Sequence, residues 1–73
     1  MNKIDTLMKT LLVIEDGKQL MWVETDIEKI ARIYDKCMLT IINAYQQKIF
    51  DLPTAMAHRD CLYLWTKKRI TTF

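Results

Sequence analysis

Between Ile27 and Ile49 apolar residues return at three- and four-residue steps: Ile27, Ile30, Tyr34, Met38, Ile41, Tyr45 and Ile49. Lys29, Arg32, Asp35, Lys36, Asn43 and Gln47 fall largely between them. That period is helical, and it predicts one long helix over about residues 26–50. Its start carries a capping-box pattern, Thr25-Asp26-Ile27-Glu28. In that pattern the threonine oxygen accepts the Glu28 amide, and the glutamate reaches back. Asp51-Leu52-Pro53-Thr54 then interrupts the pattern. Proline disfavours a helical residue before it and suits the first turn of a following helix. A second helix is expected over about residues 53–69, ending on Lys67, Lys68 and Arg69, where cations face the negative end of the helix dipole. The short connection makes this pair an antiparallel hairpin.

The first third reads two ways. Ile4, Leu7, Met8, Leu11 and Leu12 form a helical stripe, and Gly17 is placed to end it, so a first helix over about residues 2–15 is the favoured assignment. The alternative takes "LLVIEDGKQLMWVE" as a β-hairpin around an Asp16-Gly17 turn. The expected fold is therefore all-α, a small three-helix domain built on a long central helix. The runner-up is an α+β chain with an N-terminal hairpin.

Length and composition narrow the function classes. Seventy-three residues make one small domain, near the lower size for a self-sufficient core. The content is 51% apolar and 27% charged, with one glycine and one proline, which suits helices and excludes disorder. The apolar run Leu11–Ile14 is too short for a signal-peptide core or a membrane span, which leads to the expectation of a cytoplasmic protein with free thiols.

The densest chemistry lies in "HRDCLYLW", residues 58–65. His58-Arg59-Asp60 matches the opening of a kinase catalytic loop, but the chain is far too short for the rest of that machinery. His58 and Cys61 are three apart, as two metal ligands on a helix would be. Cys37, however, is about 14 residues before a turn near Asp51-Leu52 and Cys61 about 9 after it, an axial offset of roughly 7 Å. No metal, no cofactor and no disulfide are expected. The chain contains no serine and no glycine-rich phosphate loop, and no general base is paired with an oriented nucleophile. A non-enzymatic role is expected.

Charge is uneven. Residues 1–51 carry seven Lys/Arg and eight Asp/Glu, and residues 52–73 carry four and one, so the C-terminal segment is the basic end. Arg59, Trp65, Lys67, Lys68 and Arg69 are the candidate partner-binding residues, since aromatic and arginine side chains anchor interfaces. Trp65 has a competing role as core, in a seam with Ala57, Cys61 and Leu64. The same basic segment, with Tyr63, Trp65 or Phe73 stacking on bases, supports the alternative of a dimeric nucleic-acid-binding regulator. An overall charge of +2 is weak for that purpose.

The middle of the long helix, "CMLTIINAY", is apolar nearly all round. A helix of about 25 residues spans about 37 Å and outreaches two neighbours of about 23 Å. Such a surface has to be covered, so Met38, Leu39, Ile42 and Tyr45 are expected to mediate homodimerisation. The function expected is a protein-protein interaction module, an inhibitor or adaptor docking a helical surface on a partner protein. Small phage- and plasmid-encoded inhibitors offer the analogy.

Overall fold

A computed structural model describes residues 2–72 as three α-helices: α1 (Lys3–Val23), α2 (Ile27–Gln46) and α3 (Leu52–Thr71). The described residues contain no strand, so the all-α assignment holds and the β-hairpin alternative does not. Val13 and Gly17 of α1 face Cys37 of α2, Ala31 of α2 shares a hollow with Ile70 of α3, and Tyr45 shares one with Leu52. The chain thus runs up, down and up, with α1 and α3 parallel.

Each boundary has a local cause. Asn2 caps α1, its Oδ1 accepting the Asp5 amide at 2.8 Å. α1 does not stop near Glu15 but continues to Val23. Gly17 adopts no left-handed conformation. It lies buried inside the helix, where a Cβ would collide with Cys37 Sγ, so its purpose is the close approach of two helices rather than a turn.

α2 is capped by Asp26, not Thr25: the Glu28 amide donates to Asp26 Oδ1 at 2.9 Å. The Glu24 carboxylate accepts from the amides of Thr25 and Asp26. α2 also ends earlier than its periodicity suggests. Lys48 takes φ 61°, its amide donates to Tyr45 O, and the Ile49 amide donates to Ala44 O. That is a Schellman ending with lysine in the place glycine usually holds. Asp51 caps α3, accepting the Thr54 amide at 2.9 Å; its side-chain and backbone bonds to Thr54 hold its carboxyl below the usual range.

The helices are therefore nearly equal, 21, 20 and 20 residues, each about 30 Å long. The long central helix with two short neighbours is corrected to three matched rods. Buried stripes at three- and four-residue spacing meet in the middle: Ile14 and Met21 from α1, Ile30 and Cys37 from α2, Leu62 from α3. Phe50, from the α2–α3 connection, closes one end. Two buried threonines are satisfied locally, Thr10 donating to Thr6 O and Thr66 to Leu62 O.

Candidate protein-docking surface

In the 58–65 stretch the histidine and the cysteine part company. His58 stacks on Phe50, centroids 4.8 Å apart and planes 9° off parallel. Burial and the nearby Lys18 charge lower its pKa, against a smaller opposing effect from Glu15. Cys61 is exposed and accepts a 3.2 Å hydrogen bond from Lys18 Nζ, which also pairs with Glu15 at 3.5 Å. Burial pulls the Lys18 ammonium down, but Cys61 and Glu15 together hold it above its ordinary value. Arg59 pairs with its neighbour Asp60 at 3.2 Å.

The axial offset expected between the cysteines is absent. With residues 47–51 outside the helices, Cys37 and Cys61 each sit nine positions from the ends that face each other, Gln46 and Leu52. They stand at one height and are separated around α1 instead. Cys37 is buried under Gly17, and burial raises its thiol pKa, whereas Cys61 stands beside Lys18. Among the described residues no group of three His, Cys, Asp or Glu could hold a metal. No helix there is long and apolar enough to cross a membrane.

The basic segment is divided by the fold. Trp65 is half-buried between α1 and α3: its Nε1 donates to Lys18 O at 3.0 Å, Trp22 lies 5.4 Å away, and the Lys18 ammonium sits 6.0 Å from its ring. Its expected companions Ala57, Cys61 and Leu64 are all exposed; the buried stripe of α3 is Ala55, Leu62 and Thr66. Arg69 also turns inward. Its Nε donates to Met21 O at 2.8 Å, its Nη2 to Glu24 O, and its Nη1 to Thr72 Oγ1 at 3.1 Å. α1 has no basic residue in its own last turn, so Arg69 brings the cation to that negative dipole end from another helix. Lys67 lies beside the α2–α3 groove, while Lys68, the next residue, points about 100° away around the helix. Phe73 lies outside the described residues.

Opposite α1, a groove runs along the α2–α3 junction. One hollow, of roughly 360 Å³, is walled by Ala31, Tyr34, Tyr63, Lys67 and Ile70. A second continues it between Met38, Ile42 and Tyr45 on one side and Leu52, Met56 and Arg59 on the other. Met38, Ile42 and Tyr45 thus come together with Arg59 and Lys67, two sets that looked unrelated along the chain. Leu39, 60% exposed, does not line the groove. A second apolar strip, Ile4, Met8 and Leu12, rises along the outside of α1, each more than half exposed. The strip was visible as periodicity, but its exposure was not. No known protein family, curated protein or solved structure matches this chain.

Proposed function

We propose that the protein is a small non-enzymatic interaction module, an inhibitor or adaptor that docks a helical surface on another protein and acts as a homodimer. The observation that carries this reading is uncovered apolar surface on a completed fold. Sixteen large apolar side chains are exposed among the described residues, although the core is closed. The accessible surface, 5317 Å², exceeds the roughly 4,700 Å² expected of a compact protein of this mass. Contiguous apolar surface on a small protein marks interaction sites, and methionines such as Met8, Met38 and Met56 adapt to a partner's shape.

Two observations favour a protein partner over nucleic acid. Arg69 is spent on the end of α1, and Lys67 and Lys68 diverge, so the basic tail offers no continuous phosphate track. Of the aromatic residues of that segment, Trp65 is half-buried and hydrogen-bonded to α1, and Tyr63, 53% exposed, lines the α2–α3 groove. The test is site-directed photocrosslinking in the source cell from position 8 on α1. A single foreign protein crosslinked there, and lost in Leu12→Glu with an unchanged melting curve, is the expected result. Crosslinking that ignores Leu12→Glu, or steep weakening of capture between low and moderate salt as in phosphate binding, removes the reading.

A further inference from the structure

We infer that the α2–α3 groove is filled by a second copy of the chain, in a symmetric dimer whose two-fold axis runs parallel to the helices. This rests on reading the exposed apolar faces as docking surfaces, and it says which of them the chain uses on itself.

Area is the first argument. Ile42, Tyr45, Leu52, Met56, Tyr63 and Ile70 are each 40–53% exposed along one face, and Ile27 extends it at one end. At roughly half of about 150–250 Å² for each tyrosine and somewhat less for each aliphatic side chain, these seven present on the order of 600 Å² of largely apolar surface. A standard stable interface takes about 800 Å² from each partner, which this face reaches once its polar rims are included. The face is about 30 Å long, because both its helices have 20 residues. A matching pair of equal helices fills such a groove along its whole length.

Charge selects the occupant and the symmetry. The cations of the groove, Arg59 and Lys67, stand on α3. Arg59 also pairs with its neighbour Asp60, so Lys67, in no ion pair among the described residues, supplies most of the free positive charge. The α2 rim carries two acids and one cation: Asp35, one turn after Ala31 and two turns before Ile42, Glu28, two turns before Asp35 on the same stripe, and Arg32 on the adjacent stripe between them, a net negative edge. A two-fold axis parallel to the helices lays α2 of one copy over α3 of the other, acidic rim on basic rim, twice by symmetry. The heights agree as well. Ala31 and Lys67 line the same hollow and so stand level. Lys67 of one copy therefore arrives at the height of Ala31 of the other, between Glu28 and Asp35, within about 6 Å of each along the axis. Arg59 arrives level with Leu39, with Asp35 one turn away, and its aliphatic stem covers a leucine that the single chain leaves 60% exposed. A two-fold axis perpendicular to the helices would instead oppose α3 to α3 and bring like charges together.

The test is the mass of the protein in solution by sedimentation equilibrium, with helicity and melting followed beside it. A dimer at micromolar concentration is expected, and Met56→Glu should give a folded monomer. Lys67→Glu should raise the dimer dissociation constant roughly tenfold. Adding Glu28→Lys and Asp35→Lys to Lys67→Glu should restore it, a rescue that a merely structural role for these residues would not produce. A monomeric wild type overturns the inference, as does a dimer broken by Leu12→Glu but not by Met56→Glu. Failure of the charge swap overturns the parallel two-fold arrangement. Foreign-protein crosslinking from α1 is read separately, so a monomeric wild type with retained crosslinking refutes the dimer and leaves the docking on another protein standing.

Discussion

Gly17 shows how one residue type can be read for a reason the fold does not use. A glycine after an apolar stripe usually ends a helix, yet here it sits mid-helix against Cys37. Alanine at that site gains about 1 kcal/mol of helix propensity, but it drives a methyl into a buried sulfur, and overpacking costs typically about 1–3 kcal/mol. Gly17→Ala should therefore lower stability. Gly17→Ala combined with Cys37→Ala should recover it, since the new methyl then occupies the space of the lost Sγ. Chemical denaturation of the two single variants and the double closes the cycle, and additive losses would rule out the packing explanation.

Lys48 is the opposite case, a non-glycine in a glycine position. Its left-handed backbone costs about 1 kcal/mol more than glycine's would. Lys48→Gly should raise the unfolding free energy by about that amount, read as a higher denaturation midpoint with an unchanged denaturant slope. This residue also explains why α2 looked longer than it is. The apolar period runs on through Ile49, while the turn that stops the helix is made by backbone bonds to Ala44 and Tyr45 that no residue type announces.

Among the elements, α1 depends most on its neighbours. Its cation comes from α3, through the two carbonyls that Arg69 joins at Met21 and Glu24. Charged hydrogen bonds of this kind contribute about 1.5–3 kcal/mol each, less where water reaches them. Arg69→Ala should cost about 2 kcal/mol in thermal or chemical unfolding, and Arg69→Lys should recover only part of it, because a single ammonium lacks the planar fork that spans both carbonyls. Hydrogen exchange would locate the loss: amides near Val23 and Glu24 should open first. An unchanged melt would return Arg69 to the role of a surface contact.

The basic segment was legible as composition but not as a surface. Residues 65–69 are adjacent in sequence, yet a helix distributes them around its axis, and the direction of each is set by where α1 and α2 lie. Trp65 and Arg69 are separated by one turn and face α1, Lys67 faces the groove, and Lys68 faces solvent. The groove was legible in part. Met38, Ile42 and Tyr45 belong to a long apolar pattern that had to be covered, whereas Arg59, Met56 and Tyr63 join them only because the hairpin register brings their turns level.

For the whole molecule, lower stability in acid is the expected pH dependence. His58 has its pKa lowered, first by burial and then by Lys18. The unfolded chain takes up that proton near pH 6.5, the ordinary histidine value, and the folded chain only at lower pH. Between those two points the unfolded state binds more protons, so stability falls as pH drops through the window below about 6.5. His58→Phe should remove this slope while keeping the ring against Phe50. The depressed Asp51 carboxyl acts in the same direction at lower pH, where protonation releases its cap on α3, so the two losses are separable in a series of melts.

The sequence by itself determined that the chain is helical from Asp26 onward, that a break falls at Asp51-Leu52-Pro53, and that Asp51 or its neighbour begins the last helix. Those features are local: period, capping chemistry and proline geometry act within a few residues. Tertiary structure alone decided the lengths of the helices, the inward turn of Trp65 and Arg69, the equal heights of Cys37 and Cys61, and which apolar faces remain uncovered. Each of these depends on the register of one helix against another. Register is set by how closely backbones pack, as at Gly17 against Cys37, and by the five residues of connection between Gln46 and Leu52. A shift of one residue turns a helix by about 100°, so an error too small to alter the fold class is enough to exchange a buried side for an exposed one.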